Sequence, residues 1–160
     1  MRTIAVISGS RADAGLLMGL MNTIREHPLL DLQLFVTGMH LSEQHGFSYR
    51  ELEKNGFSIT AKVTTSLTDN SPQGNARALA EGIIGFTEVL HKFQPDIVLL
   101  LGDRFEILAA AETAMMLQIP LAHLHGGELT LGAIDDAIRH SISKMAQLHF
   151  TATNSYRQRL

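Results

Sequence analysis

Short apolar runs recur at residues 4–8, 32–37, 97–101, 121–124 and 149–153, separated by longer stretches with helical spacing. Strands joined through helices run parallel in one sheet, because the crossover helix returns the chain to the same edge before it re-enters. The expected fold is therefore α/β, a doubly wound, mostly parallel, Rossmann-like sheet. Residues 13–26, 74–93, 105–117 and 134–145 place apolar side chains three and four apart and read as helices. The stripe Leu79, Ile83, Phe86, Leu90 reads as core.

Residues 39–71 are less regular. They read as a short helix at 48–55, a strand at 57–63 and a mobile loop over 64–74, where TTSLTDNSPQG supplies turn residues. The final NSYRQRL reads as the opening turns of a helix, so more protein is expected to follow. The 160 residues suit one cored domain, 1–160.

Hydrophobic residues make up 45% and charged residues 18%, which argues for a globular chain over a disordered one. A net charge of −3 leaves no broad footprint for nucleic acid, so no nucleic-acid partner is expected. The longest apolar run stops at Gly102 and Asp103, short of the roughly 20 residues that span a bilayer, so no membrane partner is expected either. Cysteine is absent, which removes disulfides, thiolate metal sites and a cysteine nucleophile; the compartment it fits is the cytoplasm.

Chemistry concentrates between Asp103 and His140. The run DIVLLL leads through Gly102 into Asp103, Arg104 and Glu106, and the strand at 121–124 leads through His125, Gly126 and Gly127 into Glu128. Carboxyl ends of parallel strands are where an open α/β sheet builds its site. Asp135 and Arg139, and Asp136 and His140, stand four apart on the next helix and so share faces. Each residue alone has an ordinary explanation, as a first-turn acid or a surface cation. The whole set, beside a Gly-Gly turn, reads as a site.

Three further segments invite a role. SGSRADAG offers backbone amides and Arg11 to an anion, but it lacks the three spaced glycines of a dinucleotide fingerprint, so no nicotinamide cofactor is expected. VTGMHLSEQHGFSY puts His40, His45 and Tyr49 at the same rim, where they either touch a sugar or base or merely close the loop. His123 and His125 alternate along a strand, face one side, and form a candidate pair of metal ligands. Without a matching further cluster, metal-free acid/base chemistry is the stronger reading, and no metal is expected.

Together GSRADAG, VTGMHL, LGDRFEI, HLHGGE and DDAIRHSISKM resemble the hydrolysing UDP-N-acetylglucosamine 2-epimerases of sialic- and legionaminic-acid biosynthesis, over the whole chain. The resemblance implies two Rossmann-like domains facing across a cleft, the glycosyltransferase B architecture, of which residues 1–160 are the N-terminal one. It also implies a homodimer in the full-length protein and no cofactor. The implied reaction converts UDP-N-acetylglucosamine and water into N-acetylmannosamine and UDP, by elimination and then hydration. Asp103 and Asp135 correspond to catalytic acids, with Asp136 as the fallback. By analogy Arg11 holds the nucleotide, and Arg104, Arg139, His140 and His40 line or orient the site.

Two departures from the family stand out. Some relatives carry glutamate where this chain has His125, so either His125 or Glu128 transfers the corresponding proton. The family is also more than twice as long, so the isolated chain is expected to fold yet turn over poorly. The alternatives are a UDP-N,N'-diacetylbacillosamine 2-epimerase, whose sugar differs at C4 and C6, and a non-catalytic nucleotide-binding half-domain.

Overall fold

The computed structural model describes all 160 residues. Its six strands are β1 (Arg2–Ser8), β2 (Leu30–Thr37), β3 (Ile59–Val63), β4 (Ile97–Leu101), β5 (Leu121–Leu124) and β6 (Leu148–Phe150). The helices are α1 (Arg11–Glu26), α2 (Tyr49–Lys54), α3 (Pro72–Phe93), α4 (Phe105–Met116), α5 (Ile134–Met145) and α6 (Asn154–Arg159). The strands form one parallel sheet in the order β3-β2-β1-β4-β5-β6. The strand order reverses between β1 and β4, which opens a crevice at their carboxyl ends.

Successive strand residues point to opposite faces, so the sheet has two cores. On one side Ala5, Ile7, Val98 and Leu100 meet Phe86 and Leu90 of α3, Ile107 of α4 and Ile142 of α5. On the other, Val6, Leu99 and Leu101 meet Leu17, Met21 and Ile24 of α1 and Leu52 of α2. Of the expected stripe, Phe86 and Leu90 are fully buried, while Leu79 and Ile83 are partly buried against the same core. No helix is long and apolar enough to cross a membrane.

Boundaries moved where local chemistry overrides periodicity. The loop expected over 64–74 ends at Ser71, because Ser71 caps the Gly74 amide at 3.0 Å and Pro72 suits the first helical turn. The last strand stops at Phe150, since Thr153 instead caps α6 through the Tyr156 amide. Gly38–Leu41 and Glu43–His45 form two 3₁₀ turns that the spacing did not announce.

Candidate active site

The site is assembled from the segments that leave β4 and β5 and from the first turns of α5. Gly102 leaves β4 at φ 80, which lets the chain turn out of the sheet and present Asp103 and Arg104 before α4 begins. That turn is pinned from beneath by His123, whose Nε2 lies 2.7 Å from the Gly102 carbonyl oxygen and whose Nδ1 lies 3.1 Å from Ser143 Oγ. Because a carbonyl only accepts, Nε2 donates and Nδ1 accepts from the hydroxyl. His123 is fully buried, and burial holds its pKa below the ordinary 6.5. It is a structural histidine, with both nitrogens occupied.

The expectation that His123 and His125 face one side fails. β5 ends at Leu124, and His125 adopts φ 62, which breaks the two-residue alternation. Its backbone amide donates to Phe150 of β6 at 3.0 Å. Its ring turns instead toward Glu128, with Nδ1 2.7 Å from Oε1. The geometry offers no pair of histidine ligands on that strand.

Glu128 and Asp103 are joined through Arg139. The guanidinium forms an ion pair with Asp103 through Nη2, and its Nη1 lies 3.6 Å from the second Glu128 oxygen. The Arg139 side chain is only 9% exposed, and its Nε has no hydrogen-bond partner. Asp103, Arg139, Glu128 and His125 thus form one continuous chain of polar contacts. Arg139 does not pair with Asp135, its neighbour on the helix. Asp135 is exposed, whereas Asp136 accepts from the Thr130 amide at 2.8 Å and lies 3.7 Å from His140. Asp136 therefore folds the preceding loop onto α5, and His140 is tied to it.

Arg104, the residue after Asp103 on the same segment, is held by a different partner. It binds Glu106 through Nε at 3.2 Å and Nη2 at 3.0 Å, and the Glu106 carboxylate is completely buried. Burial works against the Arg104 charge and Glu106 works for it; the balance, with Asp13 and Asp135 adding to it, holds Arg104 above its usual range. Arg104 lines a cleft of about 340 Å³ with Met39, His45, Asn70, Asn75 and Phe105. From its sequence position Glu106 reads only as one member of an acidic cluster. Arginine and glutamate two apart are not helical neighbours, so no spacing rule could have paired them.

Arg11 and His40 stand apart from this network. The Arg11 side chain is 67% exposed and pairs with Glu51 of α2 at 2.7 Å, while Ser10 and Asp13 cap the ends of the turn. His40 is a correction to the expected sugar or base contact. It is fully buried, bonded to Ser8 Oγ and Ser48 Oγ at 2.8 Å each, and burial lowers its pKa. It ties β1 to the segment before α2 and has no surface left for a ligand. Arg159 of α6, by contrast, carried no signal in the sequence, yet it donates to the Gly127 carbonyl in the turn before Glu128.

The family described as UDP-N-acetylglucosamine 2-epimerase matches residues 22–160. The chain belongs to that family. The epimerase-family chain is 43% identical over 159 residues to a GDP/UDP-N,N'-diacetylbacillosamine 2-epimerase (hydrolyzing) of Campylobacter jejuni, covering 99% of this chain and 41% of that protein. It is 36% identical over 160 residues to a UDP-N-acetylglucosamine 2-epimerase of Neisseria meningitidis serogroup B, covering 100% of this chain and 41% of that protein. The epimerase-family chain thus spans about two fifths of the length of the curated relatives it matches. A crystal structure of UDP-N-acetylglucosamine 2-epimerase superposes with a TM-score of 0.87 at 20% identity, over 99% of this chain and 44% of that one, a match of fold.

Proposed function

We propose that this chain is the N-terminal, Rossmann-like domain of a hydrolysing nucleotide-sugar 2-epimerase, converting UDP-N-acetylglucosamine and water to N-acetylmannosamine and UDP. The observation that carries the reading is the polar chain from Asp103 through Arg139 and Glu128 to His125, at the carboxyl rim of a family member's sheet. In the elimination half, the C2 proton passes to a base, the C2–H pair forms a C1–C2 double bond, and the anomeric C1–O pair leaves on UDP. In the hydration half, water adds at C1 and C2 is reprotonated from the opposite face.

Such a sequence needs acid and base groups on both sides of the ring. Asp103, held by Arg139, and the exposed Asp135 supply carboxylates from two elements; Arg104 and Arg11 supply fixed positive charge for a diphosphate. The protein acts as a homodimer in the cytoplasm and uses no cofactor. The test is product analysis in deuterated water, on the chain alone and on a protein extended beyond Leu160. N-Acetylmannosamine bearing deuterium at C2 supports the reading; no reaction of either acetamido-sugar nucleotide with the extended protein sinks it. Replacing Asp103 by Asn is expected to lower turnover by about 10²–10⁴-fold, the usual contribution of a positioned acid or base.

A second reading takes UDP-N,N'-diacetylbacillosamine as the substrate. It is favoured by the higher identity to the relative named for that sugar, 43% against 36%. The same assay with both nucleotides in competition separates the two. A non-catalytic binding half-domain is distinguished by nucleotide binding without product.

A further inference from the structure

Four non-glycine residues have positive φ: Phe47, Gln94, Gln118 and His125. Gln94 caps α3, Gln118 follows α4 and Phe47 follows a 3₁₀ turn, all places where left-handed backbone closes a helical turn. His125 alone ends a strand. A left-handed side-chain-bearing residue at a strand end, in a rim already crowded with charge, is the kind of strain that persists where function holds it.

The strained backbone has a definite consequence for the ring. It swings His125 off the strand's alternation and lays Nδ1 2.7 Å from Glu128 Oε1. A carboxylate accepts and does not donate, so this contact requires the hydrogen on Nδ1. In the neutral ring Nε2 is then the bare nitrogen. The other Glu128 oxygen faces Arg139 Nη1 at 3.6 Å, so Glu128 is engaged on both sides. The His125 side chain is 40% exposed against 27% for Glu128 and 20% for Asp103. Of the four linked groups it offers the most surface, and its Nε2 makes no hydrogen bond to the protein.

We propose that His125 Nε2 is the base of the elimination half, and that Glu128 is a positioning residue that fixes the His125 tautomer and does not itself touch substrate. This rests on the epimerase reading above. Nε2 takes the C2 proton, the C2–H pair becomes the C1–C2 double bond, and the anomeric C1–O pair departs with UDP. The imidazolium that results keeps its Nδ1–H on the Glu128 carboxylate, which stabilises the charge where it forms.

Two measurements test this. On the 160-residue chain, imidazole ¹⁵N NMR at neutral pH is expected to report His125 as the Nδ1–H tautomer, and Glu128→Ala to return the ring to the mixture found in water; a dominant Nε2–H form in the unreplaced chain overturns the proposal. In the extended protein, His125→Gln is expected to lower kcat by about 10²–10⁴-fold with KM within a few-fold. His125→Gly fits the left-handed backbone, and added imidazole is expected to restore part of its turnover, which a purely structural histidine would not allow. If His125→Gln keeps its turnover while Glu128→Gln loses it, the carboxylate transfers the proton and the inference is wrong. An unreplaced protein that releases no epimerised sugar instead sinks the epimerase reading itself.

Discussion

Arg139, in the second turn of α5, reaches Asp103, two residues past the end of β4, across 36 residues of sequence, and both sit largely out of solvent. The pair closes the rim of the sheet, since the same guanidinium lies beside Glu128 from the β5 segment. Removing one member of a buried ion pair leaves the other charge stranded. Arg139→Met is expected to cost about 3 kcal/mol in chemical denaturation, toward the low end of the usual range because Asp103 keeps some exposure. Adding Asp103→Asn should recover part of that loss. A single variant as stable as the parent would show that the contact contributes nothing.

Gly127 carries φ 79, and any Cβ there would run into the Tyr156 carbonyl oxygen of α6. Gly132 has nearly the same φ, 83, with open space around it. Gly132→Ala should therefore show the backbone cost alone, about 1–2 kcal/mol. Gly127→Ala should cost more and should also loosen α6, which amide exchange at Tyr156 and Arg157 would report. Equal costs at the two positions would mean that α6 does not rest on the Gly-Gly turn.

Gly38 and Glu106 form a second steric pair. At Gly38, φ 55, a Cβ would stand 2.6 Å from Glu106 Oε1. The Gly38→Ala penalty should shrink when Glu106 is already replaced by Ala, with a coupling of about 0.5–3 kcal/mol in a double-mutant cycle. Additive penalties would separate the glycine from the carboxylate it is packed against.

His40 and His123 are both fully buried, and burial depresses both pKa values. Below the unfolded value of 6.5 the unfolded chain binds protons that the folded chain refuses, so stability rises with pH in that window. It is complete above 6.5 and falls as pH drops from there toward the folded pKa values. The melting temperature is expected to decline as pH falls below 6.5, and the double replacement His40→Asn with His123→Asn to flatten that decline. An unchanged slope in the double variant would assign the decline to other groups.

Much of this was written in the chain itself. A five-residue apolar run such as IVLLL, stopped by Gly102, is too short for a buried helix and reads as a strand buried on both faces, and helices between such runs supply the crossovers that parallel strands need, so fold class and rim followed from local pattern. Asp103, His125, Glu128 and Asp135 stand out for the same reason, since strand ends and helix starts are local features. Tertiary packing decided which of these residues meet. Arg139 had equal access by spacing to Asp135, yet the approach of α5 to β4 gave it to Asp103; His40 and His125, both read as rim histidines, separated into a buried strut and a half-exposed ring. Periodicity fixes the direction of a side chain along its own element. The docking of α5 on the sheet, the left-handed turn at His125 and the seat of α6 on Gly127 depend on close packing between segments far apart in sequence, and only the folded chain sets that.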